Sequence, residues 1–275
     1  TMSYILAVNP QILGETRMDK QALFTTTALA AIAGTLFMAI FANVPIAQAP
    51  GMGLNNFFAF TVVISMGYSW QFALTAVIIE GFIFLILTLF NIREIIINNI
   101  PKVLKEAIPI GIGLFITLIG LKSAGIVTGN QFTFVQLGNM ADPNVWIALV
   151  GLVVIAVLLS RNIHGAILIG ILVSTIFAIF LGKVEVPEGN LVSLPPSIAP
   201  IFVKFEWSHI FTFDMLIVVF TFLIVNLFDS MGTLIGVISK IGKTDEDGNF
   251  PQIQKALFAD AMGTIAGALL GTSPN

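Results

Sequence analysis

Long apolar blocks, separated by short clusters of proline, glycine, asparagine and charge, set the pattern of this chain. A helix rises about 1.5 Å per residue, so crossing a bilayer core takes about 20 mostly apolar residues. Runs at residues 20–43, 70–92, 107–127, 145–160, 164–181, 213–239 and 256–271 meet or approach that length. A shorter apolar stretch, 53–66, precedes the second of these, and the opening Thr1-Met2-Ser3-Tyr4-Ile5-Leu6-Ala7-Val8 reads as the remainder of one more span. The pattern predicts an all-α membrane protein with about nine crossings. No basic region or small-residue cleavage site marks the opening as a signal peptide. Because apolar segments lie at both ends, the last running into Thr272-Ser273-Pro274-Asn275, the expectation is a fragment of a longer protein.

One interruption is informative. Two prolines and two glycines break the apolar sequence from Val44 to Gly53. Proline removes a backbone donor and pushes its predecessor out of the α region. An extended segment over residues 44–50 is therefore expected, with a helix restarting near Gly51 to Gly53. Irregular backbone at membrane depth must be covered by protein or line a cavity.

Composition sharpens the reading. Hydrophobic residues make up 57% and charged residues 10% of the 275, against roughly 45 to 50% and about 25% in soluble domains, and the mean hydropathy is +0.99. The net charge of -3 and scattered basic residues give no footprint for nucleic acid. Without cysteine there are no disulfides, thiolate metal sites or cysteine nucleophiles. His164 and His209 are too far apart for a helical metal pair, and neither a metal nor another cofactor is expected. If the 93–105 connection is cytoplasmic, Arg93, Lys102, Lys105, Arg161, Lys240, Lys243 and Lys255 share that side, seven of twelve basic residues. The stretch 93–106 reads as lying along the interface.

A repeat is visible inside the chain. Aligning Gly34-Thr35 with Gly263-Thr264 also places Ala30 on Ala259, Ala39 on Ala268 and Pro45 on Pro274. Both segments are small-residue helices ending at a proline. An odd number of crossings separates the copies, so they enter the membrane from opposite sides, as in inverted-repeat transporters, whose sites form where interrupted helices face each other.

Ionisable groups inside spans are costly and are functional candidates. Asp229 is foremost, with Asn226 three residues before it and Thr233 four after, all on one helix face. Glu80 and Asp260 each stand alone among apolar and small residues, and read as gating or packing groups. Asp214 suits a helix start, and Lys122 suits a helix end from which it snorkels. After the break, Gly53-Leu54-Asn55-Asn56-Phe57-Phe58-Ala59-Phe60 joins unpaired helix-start N–H groups to amide side chains and aromatic faces. A neutral planar base requires those parts.

Taken together, Met2-Ser3-Tyr4-Ile5-Leu6-Ala7-Val8-Asn9-Pro10, Ala49-Pro50-Gly51-Met52-Gly53-Leu54-Asn55, Leu227-Phe228-Asp229-Ser230-Met231-Gly232-Thr233-Leu234 and the segment from Gly263 through Pro274 resemble the AzgA-like branch of the nucleobase:cation symporter family 2. These are the hypoxanthine, guanine and adenine permeases. The resemblance implies fourteen spans in two inverted repeats of seven, with short extended segments at the third and tenth, a core and a gate domain, and purine uptake coupled to protons. It also implies that Gly53 and Asn55 sit beside the purine. The family shows two acids three residues apart in the eighth span, and here Asn226 replaces the first while Asp229 keeps the second. The family's tenth-span glutamate would lie beyond Asn275.

On that basis residues 1–92 are expected to be the first part of the core, 93–212 the gate spans and following loop, and 213–275 the start of the second repeat. Gly53, Asn55, Asn56, Phe57, Asn226 and Asp229 are the expected substrate contacts, and Asp229, Glu80 and Asp260 the groups for proton coupling or gating. The expected partners are a purine nucleobase, a proton, the bilayer of the plasma membrane and a second copy in a homodimer. An anion transporter of the same fold would place basic residues near the break, yet none lies between Lys20 and Trp70. A membrane-embedded enzyme would need a metal cluster, a nucleophile with its base, or a charged pair at helical spacing. The sequence offers none of these.

Overall fold

The structure, a computed structural model, describes residues 2–99, 101–184, 194–241 and 252–274. Lys243 of the charge tally and the terminal Asn275 lie outside the described residues. The order is α1 (Ile5–Gly14), α2 (Lys20–Phe37), α3 (Met52–Asn56), α4 (Trp70–Leu89), α5 (Ile92–Asn99), α6 (Lys102–Ser123), the strands β1 (Val127–Asn130) and β2 (Phe134–Leu137), α7 (Pro143–Ser160), α8 (Ala166–Phe180), α9 (Phe213–Ile241) and α10 (Ile253–Leu270). Among the described residues five helices, Lys20–Ala42, Trp70–Leu89, Pro143–Ser160, Phe213–Leu234 and Ile253–Leu270, are long and apolar enough to cross a membrane. Three shorter apolar helices accompany them, Ile5–Gly14, Met52–Ser65 and Ala166–Phe180. Helical membrane character, legible in the apolar blocks, is what the structure has.

The helix starts follow from local chemistry. Asp19 caps α2 by accepting the Ala22 N–H at 2.7 Å, and Ser69 caps α4 by accepting the Phe72 N–H at 3.0 Å. Asp214 lies in the first turn of α9, as its sequence position suggested, and accepts the Tyr68 hydroxyl. Past Phe37 the ladder of α2 widens into a π-helical stretch, Met38–Ala42, which stops at Asn43 in the left-handed conformation. From there to Gly51 the chain is not helical, and α3 then starts at Met52 and continues as a π-helix over Phe57–Ser65. The break expected at Pro45 and Pro50 is present. It is covered by protein, since Val44 is buried and the Gln48 N–H donates to Thr35 Oγ1 of α2 at 3.1 Å.

Two compact units divide the chain. One takes in the first four residues and Gly113–Leu194. Within it β1 and β2 pair antiparallel, Val127 opposite Leu137 and Asn130 opposite Phe134, a hairpin that the sequence reading did not anticipate. Strands of four residues are too short for alternation to stand out. Helices α7 and α8 pack closely because Gly151 and Gly170 leave room: a methyl on Gly151 would collide with Ser174 Oγ, and one on Gly170 with the Ile155 side chain.

The other unit comprises Ile5–Ile112 and Pro195–Asn275. Leu13, Leu23, Leu54, Phe58, Phe72 and Phe222 belong to its larger apolar core. A second cluster gathers Met38, Val44, Phe84, Leu227 and Leu257. Helices α2 and α10 pack against each other and run in opposite directions. Phe41, at the end of α2's π-helical extension, meets Phe258 near the start of α10, ring centroids 5.2 Å apart. Asn9, at the other end, bridges Thr27 of α2 to Thr272 just past α10. Outward, Ile32, Leu36, Ile40 and Phe90 are exposed, while Asn9, Glu80, Arg93 and Asp260 are buried. This distribution inverts that of a soluble protein and suits lipid.

Candidate functional site

The restart of α3 is where the unit's polar groups converge. Gly51 is its N-cap residue in extended conformation and, having no side chain, leaves the first-turn N–H groups uncapped from its position. The Gly51 N–H instead donates to the Pro274 carbonyl at 2.9 Å, joining the break after α2 to the segment that follows α10. Asp229 of α9 closes a third side. A methyl on Gly51 would lie 3.1 Å from Asp229 Oδ2 and 3.9 Å from the Pro274 oxygen. A carboxylate thus stands at the positive end of a helix whose first turn carries no side-chain cap.

On α3's next turn, Asn55, whose N–H donates to the Gly51 carbonyl at 3.0 Å, is fully buried in a polar knot. Its Nδ2 donates to Asn9 Oδ1 at 2.6 Å, and its Oδ1 accepts the Ser273 hydroxyl. Asn9 in turn donates both Nδ2 hydrogens, to Thr27 Oγ1 at 2.7 Å and Thr272 Oγ1 at 2.9 Å. The knot ties α1, α2, α3 and the end of α10 together. Both ends of the Asn55 amide are bonded to protein, so its immediate task is to fix the turn that carries Gly51.

A second network joins α4, α5, α9 and α10. Asn226 Nδ2 donates to Glu80 Oε1 at 2.6 Å. Ser230, one turn along α9, lies 3.2 Å from Asn226 Oδ1 and donates to Asp260 Oδ2 at 2.8 Å. Asp260 also accepts Gln48 Nε2 at 3.1 Å and Arg93 Nη2 at 3.0 Å. Arg93 also donates to the Leu257 carbonyl at 3.3 Å and lies over the Phe84 ring, 3.9 Å from centroid to Cζ. Glu80, Arg93 and Asn226 are at most 1% exposed.

Two expectations change here. Glu80 and Asp260 do not stand alone: sequence spacing hides their partners because each comes from another helix. Arg93, expected along the interface, has its side chain buried: it follows α4 directly and donates from its guanidinium to Leu257 and Asp260 of α10. The remaining residues are placed as follows. Gly53 lies in the first turn of α3, and Asn56 donates to the Met52 carbonyl at 2.8 Å. Phe57 meets Phe222 edge-on with centroids 4.8 Å apart, Phe58 belongs to the core, and Phe60 is exposed. The π-helical winding after Asn56 disperses these rings, so they form no joint stacking platform. On α9, Asn226 is buried against Glu80, Asp229 is half-buried at Gly51, and Thr233 is exposed with its hydroxyl on the Asp229 carbonyl.

Sequence reasoning missed Asn9, Gln48, Arg93, Ser230, Thr272 and Ser273. Asn9 carried a usable signal, being a polar residue in an apolar span. Among the described residues no group of His, Asp or Glu side chains is arranged to hold a metal. A cavity of about 310 Å³ lined by Phe41, Thr88, Leu89, Gln254, Lys255 and Phe258 contains none of the groups above.

Comparison with known proteins adds the following. A model of the family described as Permease family matches residues 1–275. Adenine permease AdeP of Escherichia coli is 45% identical over 273 residues, covering 99% of this chain and 61% of that protein. Guanine/hypoxanthine permease PbuG of Bacillus subtilis is 44% identical over 285 residues, covering 99% and 64%. Nucleobase transporter PlAzg2 of Paenibacillus larvae is 29% identical over 273 residues, covering 98% and 54%. The chain therefore spans somewhat less than two thirds of the relatives it matches.

Proposed function

Because the chain belongs to the Permease family, the nucleobase:cation symporter-2 permeases, and is not an enzyme, we propose that the multi-pass membrane protein containing it imports purine nucleobases together with protons. One observation carries this reading: the uncapped first turn of α3 is enclosed by Asp229 and the Pro274 backbone. Backbone N–H groups supply donors, and the Asp229 carboxylate accepts the ring N–H or amino group of a purine. A neutral heterocycle suits that mixture. An anion does not, since the nearest formal charge is negative and the buried cation Arg93 is committed to Asp260.

Gly53 and Asp229 are assigned direct contact. Asn55, Asn56 and Asn226 act by fixing the surrounding turns, and Phe57 forms an apolar wall with Phe222. The inverted-repeat architecture is supported by the opposite directions of α2 and α10 and by their paired breaks, which meet at Gly51 and Pro274. A division into the first part of a core (1–92), a gate (93–212) and the start of a second repeat (213–275) draws support from the separate compact unit of Gly113–Leu194, although 93–112 and 195–212 group with the larger unit. The setting is the plasma membrane, and a homodimer is proposed as the assembly.

The test is uptake of labelled adenine, hypoxanthine, guanine, xanthine and uracil by purine-transport-deficient cells expressing the complete gene. Saturable purine uptake, competed by other purines and collapsed by a protonophore, is the expected result. Uptake no greater than in vector controls, or uptake of an inorganic anion instead, overturns the proposal.

A further inference from the structure

Charge does not balance in the network behind the site. Its buried members include two carboxylic groups, Glu80 and Asp260, and one guanidinium, Arg93. Arg93 gives its Nη2 to Asp260, which also takes hydrogen bonds from Ser230 and Gln48, while Arg93 Nε is buried without a partner among the described residues. Glu80 receives a single hydrogen bond, from Asn226 to Oε1, while Oε2 is buried without a partner among the described residues. The neighbours on α4 are apolar or small: Ala76, Val77, Ile79, Gly81, Phe84. An unpaired carboxylate in such surroundings is strongly disfavoured, and a proton neutralises it.

We propose that Glu80 holds a proton on Oε2 in this conformation and is the point at which a proton joins and leaves the network of α4, α9 and α10. Binding forms one O–H bond and turns a net charge of minus one into zero across Glu80, Asp260 and Arg93. Release gives the proton back to water and leaves a carboxylate that demands more donors than Asn226 supplies. The charged groups that face it from packed elements are Arg93 of α5 and Asp260 of α10, with Asp229 one turn beyond Asn226 on α9. An ionised Glu80 therefore competes with Asp260 for Arg93 and pulls on Asn226. Since α9 also carries Asp229, the load on Glu80 is linked to the carboxylate at Gly51. This coupling half rests on the proposed transport function, whereas the proton itself does not.

Infrared difference spectroscopy of the full-length protein in lipid separates the two halves. At neutral pH the wild type should show a buried carboxylic-acid C=O band that shifts slowly in D2O. The band should be lost in Glu80→Gln and kept in Asp229→Asn. A wild type without the band, or Glu80→Gln retaining all of it, overturns the proposal. Should Glu80→Gln fail to fold, Asn226→Leu removes the donor to Oε1 and should move the band to higher frequency, and an unmoved band overturns the assignment. For coupling, Glu80→Gln in proteoliposomes should keep purine exchange and lose accumulation driven by a proton gradient. Wild-type gradient dependence in that variant overturns the coupling half. Absence of any purine transport by the wild type would instead refute only the proposed substrate, since the band needs no substrate.

Discussion

Arg93 and Asp260, 167 residues apart in sequence, form an ion pair of 3.0 Å with both side chains out of solvent. The pair fastens the start of α5 to the middle of α10, and it sits against the Phe84 ring of α4. Two buried charges offset each other's desolvation only while both remain in place.

Removing one partner alone should therefore be expensive. Arg93→Met is expected to destabilise the full-length protein by about 3 to 5 kcal/mol, as for other broken buried pairs. The double variant Arg93→Met with Asp260→Leu should recover part of that loss. Thermal unfolding in detergent reads both, and additive losses would show that the pair is not coupled.

Gly51→Val should act on ligand binding more than on folding. Its Cβ would press on Asp229 Oδ2 from 3.1 Å, and the carboxylate has to turn away from the α3 turn. Losing one buried hydrogen-bond partner costs about 1 to 3 kcal/mol, so purine affinity should fall about tenfold to a hundredfold. Binding by isothermal titration is the measurement, with unfolding temperature as the control for misfolding.

Asn55→Ala should weaken both. It strands Asn9 Oδ1 and the Ser273 hydroxyl, each costing about 1 to 3 kcal/mol if buried unpaired, and it frees the turn that bears Gly51. Lower thermal stability together with about tenfold to hundredfold weaker purine binding is expected. An Asn55→Ala protein of unchanged stability would show that the knot is not structural.

Gly81→Leu tests the packing of α4 on α10. Even a first carbon at Gly81 would lie 2.9 Å from the Ile265 side chain and 3.4 Å from its backbone nitrogen. Overpacking of this kind typically costs about 1 to 3 kcal/mol. The stability loss should appear as a lower unfolding temperature, and the Asn226 to Glu80 bond beside it should loosen in the same variant.

The sequence was legible where one residue's chemistry decides the outcome locally. Apolar blocks of spanning length become helices because backbone groups in lipid must be satisfied within the segment. Pro45 and Pro50, five residues apart and followed by Gly51 and Gly53, disfavour a continuous helix, so the break before Gly51 could be read from them. Asp229 announced itself as an acid in an apolar run. The motifs at Gly51, Asp229 and Gly263 also carried the family resemblance that the comparisons established.

Partnership was decided only in three dimensions. Arg93 follows a span end among isoleucines and asparagines, and by sequence it is indistinguishable from an interfacial cation. Only the approach of α10 offers it Asp260. Glu80 looks solitary until α9 brings Asn226 to it from 146 positions away, and Asn9 becomes a hub because Thr272 arrives from 263 positions away. Phe57, Phe58 and Phe60 offered aromatic faces in sequence, and the fold sends them to different surroundings: Phe57 against Phe222, Phe58 into the core and Phe60 outward. Hydropathy and proline fix what each segment is, because those constraints act over a few residues. Which buried donor meets which acceptor depends on helix packing, because a polar group in an apolar bundle takes its partner from whichever helix is adjacent.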